Sequence, residues 1–379
     1  MNKILERVLN NQHWKIWAAL IISVVSFLLS APEYHPELTV NGVARGQIEA
    51  YEQKRIAPLT IFKYEVMSHV SQTELRLTIP IAAKLLQTKV TTFIKIMPFL
   101  LPLFLYLLSV WHEKVGISKL ANIGLIFCYA TCYVGRSFFD DLYAFFDSYS
   151  YLLLLILVFT KNRWTYFPII LMLLFLDERN FLLAGIVAGF KIFEKEGPIV
   201  SLKKALNDRD FQIICMSVLA VGLVRLYIMS EYGLGQHVGD ARTVNFMIFK
   251  IHLAIFRFGM ATALEGLWLI VIALLLFALK KGAFPFKIFS MYTLLSIVLC
   301  LTVYDFSRTF AYMFPLAMLG TLLIWKNQQY RSYFSHLVCA VVCASVIIPG
   351  ADVYGNFVRY YVPAVTHTFW HNLYLLLFT

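Results

Sequence analysis

Four groups of polar residues interrupt a sequence that is otherwise strongly apolar, and each has residue types suited to acid–base or phosphate chemistry. The first is Arg136-Ser137-Phe138-Phe139-Asp140-Asp141, with Asp147 one to two helical turns later. Adjacent carboxylates repel, which raises the pKa of one unless a cation or hydrogen-bond donors compensate, and such a carboxylate suits general acid or base work near neutral pH. Asp140 and Asp141 equally suit the N-terminus of a following helix, where an acidic side chain caps free amides. A cap needs one carboxylate, whereas this group has three.

The second group is Asp177-Glu178-Arg179-Asn180, four polar residues inside an apolar run. Such residues at membrane depth usually face a bundle interior or a hydrated cavity. The plain alternative is a self-neutralising turn, Arg179 pairing with Asp177 or Glu178. In the third group, Tyr304-Asp305-Phe306-Ser307-Arg308-Thr309, Arg308 could grip a phosphate bidentately while Asp305 orients it, or the two could form an ordinary loop ion pair. The fourth lies near the N-terminus: Glu33, Tyr34, His35, Glu37, then Glu49 and Glu52, then His69, Glu74 and Arg76. None of its His and Glu spacings fits a metalloprotease helix, and solvated surface is the default for most of it. Glu33, Glu37 and the Glu74/Arg76 pair are the exceptions, because they must lie at the ends of apolar segments. The chain lacks a Gly-rich nucleotide loop, a Walker lysine, a Gly-x-Ser-x-Gly elbow and a His-Glu-x-x-His helix, so a substrate delivered by lipid fits better than one delivered as nucleotide.

The elements that must position these groups are membrane helices. Of 379 residues, 60% are hydrophobic and 15% charged, and the mean hydropathy is +0.70; a soluble domain runs at roughly 45–50% apolar and about 25% charged. The net charge of +11 comes from Lys and Arg scattered singly or in pairs between apolar runs, which suits membrane topology and lipid headgroups and gives no nucleic-acid surface. Cys128/Cys132 and Cys339/Cys343 are spaced i, i+4, but with no His or carboxylate near either pair they are expected to be small buried hydrophobes.

Hydropathy predicts about eleven spans: 16–30, 89–110, 120–135, 148–160, 164–176, 181–193, 211–230, 264–279, 288–304, 309–325 and 332–349. The first is expected to be an uncleaved anchor, since Pro32 after Ser30-Ala31 makes a poor signal-peptidase context. The short connecting segments on alternate sides favour a cytoplasmic N-terminus and an outer C-terminus, in a bacterial inner membrane. Residues 1–379 then form one all-α membrane domain. Residues 31–88 make a first outer loop with interfacial helices, and 231–262 a second long outer loop ending in an amphipathic helix. At 13 residues, 164–176 and 181–193 are each about 20 Å long, too short to cross about 30 Å of hydrocarbon upright, so a pair of short helices with the tip 177–180 facing a hydrated cavity is expected. No internal repeat marks the sequence as an inverted-repeat transporter.

An acidic first outer loop with interfacial helices, a second outer loop opening on Asp140-Asp141, short middle spans and a long later outer loop together resemble the GT-C-type membrane glycosyltransferases. The resemblance implies a polyprenyl-phosphate-linked sugar donor, a first-loop carboxylate (Glu33 or Glu37) as catalytic base, Asp140 and Asp141 assembling an acceptor or divalent-cation site, and Arg308 holding the donor phosphate. The chain departs from that family in lacking an aspartate just after the first span and a sizeable outer C-terminal domain. The expected function is transfer of a sugar from that donor to a glycan, lipid or protein, with Arg308, Asp305, Arg179, Asp177, Glu178, Arg76 and Glu74 binding substrate. The rival readings are a transporter or flippase for a lipid-linked glycan or other anion, and an envelope glycan polymerase of unrelated fold.

Overall fold

The computed structural model describes residues 12–29, 43–60, 74–140, 145–196, 202–234, 259–281, 306–348 and the strands 351–354 and 357–360. Helices α1 (Trp14–Leu29), α2 (Val43–Ile56), α3 (Thr78–Leu85), α4 (Val90–Val115), α5 (Lys119–Thr131), α6 (Tyr133–Asp140), α7 (Asp147–Phe159), α8 (Tyr166–Leu174) and α9 (Asn180–Glu196) form the first part. They are followed by α10 (Leu202–Leu206), α11 (Arg209–Tyr232), α12 (Trp268–Lys281), α13 (Phe306–Ala311), α14 (Phe314–Lys326), α15 (Gln328–Arg331) and α16 (Phe334–Ile347). A short antiparallel hairpin, β1 (Ala351–Tyr354) with β2 (Phe357–Tyr360), pairs Asp352 with Arg359. Apart from this four-residue strand pair, the described residues are all-helical, as the composition predicts.

Among the described residues, four stretches are long and apolar enough to cross a membrane: Val90–Val115, Arg209–Tyr232, Gly259–Leu276 and Ser307–Lys326. Other apolar helices, among them Trp14–Leu29 and Phe334–Ile347, are shorter than a full crossing. Apart from 288–304, which lies outside the described residues, each predicted segment overlaps a described helix, but only the four stretches above are long enough to be spans, and several boundaries differ. The segment expected at 120–135 breaks at Cys132, whose backbone is extended, and continues as α6 to Asp140. Asp140 therefore ends a helix, which removes its expected role as N-cap of the next. That helix starts at Asp147.

Local sequence accounts for several ends. Gly116 closes α4 in the left-handed region (φ 95°), where its amide and that of Ile117 take up the last carbonyls. Asp208 caps α11, its Oδ1 accepting from the amides of Asp210 and Phe211 at 2.9 and 3.0 Å. Between α1 and α4 lie the helices α2 and α3. Glu52 Oε1 accepts from the amide of Val90 at 2.6 Å, and Lys84 Nζ donates to the carbonyl of Ile56 at 3.2 Å, pinning α2 over α3 and the start of α4. The amphipathic stretch read at 61–71 lies outside the described residues, as does that read at 246–260 except for its last two residues, Gly259 and Met260.

The core is apolar and aromatic, with Phe104, Trp111, Tyr129, Phe138, Tyr151 and Phe314 buried together. Glycine allows two tight helix contacts: a Cβ at Gly266 would come within 1.9 Å of the Val341 carbonyl, and one at Gly320 within 2.7 Å of Ile270 Cγ2. At one end of the bundle, ion pairs join the segments predicted to face one side: Lys15–Glu113 (2.5 Å), Lys114–Glu194 (3.1 Å), Arg163–Asp210 (2.6 Å) and Lys195–Asp208 (2.9 Å). The candidate site lies at the other ends of these helices.

Candidate functional site

Four pieces of chain meet in a buried ionic cluster. Asp147 is the first residue of α7, preceded by Phe146 in the left-handed region at φ 61°, a strained conformation for an aromatic residue. Asp177 lies in the turn between α8 and α9, where its Oδ1 accepts from the Arg179 amide at 2.9 Å and so shapes the turn. Arg308 comes from α13, with Tyr312 just beyond that helix.

Arg308 forks onto Asp147: Nη2 lies 2.8 Å from Oδ1, Nε donates to Oδ2, and Nη2 also reaches Asp177 Oδ2 at 3.0 Å. Arg179 forks onto Asp177, Nε to Oδ1 at 2.8 Å and Nη2 to Oδ2 at 2.6 Å, and its Nη1 donates to Thr309 Oγ1 at 3.2 Å. Arg76, from the first loop, brings Nη2 to Asp177 Oδ2 at 3.1 Å and to Glu178 Oε1 at 3.2 Å. Tyr312 donates its hydroxyl to Asp147 Oδ1 at 2.8 Å and lays its ring 4.9 Å from the Arg179 guanidinium. Two aspartates are thus enclosed by three arginines.

Charge balance sets what each group can do. Burial alone would raise Asp177, but Arg179, Arg76 and Arg308 together hold it well below the usual carboxylate range. It therefore stays ionised and is a poor proton acceptor. Asp147 has its lone pairs committed to Arg308 and Tyr312. Glu178 differs, because its side chain is 49% exposed while still touching Arg76. Burial pulls Arg76 down, but Asp177 and Glu178 outweigh it and keep the guanidinium charged. Only Nη2 of Arg76 is engaged: Nε and Nη1 are buried and have no hydrogen-bond partner among the described residues. Such donors are costly to bury unsatisfied.

Of the residues singled out from sequence, Arg308, Arg179, Asp177, Glu178 and Arg76 come together here. Arg179 pairs with Asp177, the self-neutralising alternative that the turn offered, and Arg308 pairs with Asp147 and Asp177 in place of its neighbour Asp305. Glu74 is buried two residues before Arg76, on the side of Lys54. Asp140 ends α6, and Asp141, Glu33, Glu37 and Asp305 lie outside the described residues. No group of three or more His, Cys, Asp or Glu able to hold a metal occurs among the described residues, and Cys128 and Cys132 are buried while Cys339 and Cys343 are exposed.

Sequence reasoning passed over Tyr312 and Arg225, and treated Asp147 only as an adjunct of Asp140-Asp141. It also missed a second buried ion pair, Arg136 Nη2 to Glu265 Oε1 at 2.8 Å, in which Glu265 holds φ 48°. Arg136 donates as well to the Thr262 carbonyl at 3.1 Å, and Thr262 Oγ1 lies 3.1 Å from Ser307 Oγ, so the second pair abuts the first through the residue before Arg308. A lone arginine in an apolar run, as at 136 or 225, was the available signal.

No family model, no curated protein and no solved structure matches the chain.

Proposed function

We propose that the chain is a membrane-embedded glycosyltransferase that moves a sugar from a polyprenyl-phosphate-linked donor to a glycan, lipid or protein acceptor at the end of the bundle where α7, α8 and α13 meet. The observation that carries this is Arg76, a buried guanidinium with one nitrogen on carboxylates and two left over, as suits bidentate recognition of a phosphate. The full arrangement proposed is about eleven spans, a cytoplasmic N-terminus and an outer C-terminus in a bacterial inner membrane, with 31–88 on the outer face.

In this reading Asp147 and Asp177 are structural counter-ions that fix three arginines, and Arg76 stabilises the departing lipid phosphate. The acceptor hydroxyl attacks the anomeric carbon, the bond from that carbon to the phosphate oxygen breaks, and the hydroxyl proton passes to a carboxylate. Glu178 has the necessary solvent access, and Glu33 and Glu37 of the first loop are the alternatives implied by the resemblance to GT-C-type enzymes.

The test uses the full chain in lipid nanodiscs with a radiolabelled polyprenyl-phosphate sugar pool. Release of labelled sugar onto an extracted envelope acceptor fraction, lost in Arg76→Gln and Glu178→Gln, supports transfer. Saturable donor binding by the parent without turnover, alongside movement of donor between leaflets, replaces the enzyme with a flippase.

A further inference from the structure

At the end of the bundle away from the ionic cluster, two stretches lie side by side: 161–167, at the start of α8, and 202–212, which holds α10 and the first turn of α11. Arg163 Nε donates to Asp210 Oδ1 at 2.6 Å, tying the two together. Gln212 Nε2 donates to the Leu206 carbonyl at 2.9 Å, folding α10 against the start of α11. Helix α11 is long and apolar enough to cross a membrane, which sets its first turn at one bilayer surface. The Arg163–Asp210 pair brings Trp164 to the same level.

Charge there is uneven. The two stretches carry Lys161, Arg163, Lys203, Lys204 and Arg209 against Asp208 and Asp210. Both carboxylates are already engaged: Asp210 with Arg163 and Lys195, and Asp208 with Lys195 at 2.9 Å and with two amides of α11. Lys161, Lys203, Lys204 and Arg209 are exposed. Large apolar side chains stand among them. Trp164 is 89% exposed, the most of any described tryptophan, Leu206 is 50% exposed, and Phe167, three residues on from Trp164, is 44% exposed. A tryptophan standing out at the start of an apolar helix suits the boundary between headgroups and acyl chains, where its ring is in hydrocarbon and its N–H stays wet.

We infer that this patch binds anionic phospholipid, with the negative head among Lys161, Lys203, Lys204 and Arg209 and the acyl chains against Trp164, Phe167 and Leu206. The inference rests on the reading of the chain as a membrane protein and is independent of the reaction it performs. A zwitterionic lipid brings its own cation and gains little from these basic groups. A soluble polyanion would match the charge but leave three large apolar side chains in water. Each basic residue close to a membrane surface favours anionic lipid by about fivefold.

The test places the full chain in phosphatidylcholine nanodiscs doped, at equal mole fraction, with either phosphatidylglycerol or phosphatidylcholine carrying brominated acyl chains, which quench tryptophan on contact. The Trp164 signal is the difference between the parent and Trp164→Phe. Brominated phosphatidylglycerol should associate with it at least about fivefold more strongly than brominated phosphatidylcholine. Lys203→Gln combined with Lys204→Gln should reduce that preference by about fivefold or more, while Lys203→Arg with Lys204→Arg should keep it. Equal quenching of the parental Trp164 signal by the two lipids overturns the headgroup assignment and leaves the membrane reading in place. Trp17, 51% exposed on α1, reports lipid contact in the Trp164→Phe variant. If that remaining signal is quenched and the Trp164 signal is not, something other than lipid covers the patch and the assignment falls. Quenching of neither signal removes the membrane reading, and the inference with it.

Discussion

Arg308 and Asp147 are 161 residues apart in sequence, and they meet as a two-point fork with Nη2 2.8 Å from Oδ1, both side chains being almost wholly buried. The pair ties the start of α7 to α13, and through Asp177 it also holds the turn between α8 and α9. Taking one partner away leaves a buried charge, which in comparable sites costs about 3–5 kcal/mol. Asp147→Asn and Arg308→Gln should each destabilise the chain on that scale, whereas the double variant should cost much less than the sum. A double-mutant cycle read by unfolding in mixed micelles checks this, and additive losses would show that the fork contributes no coupling.

Lysine substitutions separate counter-ion from ligand roles. Arg308→Lys and Arg179→Lys keep the charge but lose forks made to Asp147 and Asp177, so their main effect should fall on stability, the larger at Arg308 because it bridges both aspartates. Arg76→Lys keeps a charge beside Asp177 and Glu178 but loses Nε and Nη1. Because the side chain is buried, the change also costs stability, while polyprenyl-phosphate affinity falls about tenfold. Parental affinity in Arg76→Lys, measured by ligand-dependent shift in melting temperature, would return Arg76 to a purely structural role.

Much of this was legible in the residues. Hydropathy located α4 and α11 almost to their ends, and the polar tip at 177–180 stood out because four such residues inside an apolar run must face something polar. Arg308 was legible for the same reason. Its partner was not: local sequence offered Asp305, three residues away, while tertiary packing supplied Asp147 from another helix. The break at Cys132 was hidden because Cys and Tyr continue an apolar pattern, and it turned Asp140 from a helix start into a helix end. The Gly266 contact was equally hidden, since closeness of two backbones is a property of their packing.

The ends of the bundle are distinguished by their ion pairs, and sidedness can be measured with single cysteines in a background lacking native thiols. Lys89, before α4, and Gln329, in α15, are exposed at opposite ends. Lys89→Cys should label with an impermeant maleimide from outside intact cells, and Gln329→Cys only after permeabilisation. Labelling of both from the same side would refute the alternation of helices on which the outer placement of the site depends.

Gly266 lies against α16, its amide donating to Ser345 Oγ at 3.2 Å, and it follows Glu265, which holds Arg136. Gly266→Ala pushes a methyl into the Val341 carbonyl, and because that neighbour is backbone it cannot swing aside. Loss of about 1–3 kcal/mol is expected from such overpacking. The same change at Gly189, where a Cβ meets nothing within 4 Å, should be neutral or slightly stabilising by helix propensity. Thermal melts of the two variants side by side check the helix contact, and equal melting temperatures would contradict it.

Lys54 gives the first loop its own pH dependence. Its side chain in α2 is fully buried, and burial pushes the ammonium from 10.5 down to about 7, with Glu74 raising it and Arg76 lowering it against that larger effect. Between pH about 7 and 10.5 the unfolded chain carries a proton on this residue that the folded chain has released, so stability rises with pH across that window; below about 7 the penalty for a buried charge is fully present. The slope is at most about 1.4 kcal/mol per pH unit for one proton. Replacing Lys54 alone would strand the Glu74 carboxylate, so the informative variant is Lys54→Met combined with Glu74→Leu. Hydrogen exchange of the α2 amides, corrected for the intrinsic pH dependence of exchange, should show protection growing from pH 7 to 9 in the parent and staying flat in the double variant. A parent whose α2 protection is flat over that range carries Lys54 charged throughout, paired to Glu74, and the neutral lysine would be ruled out.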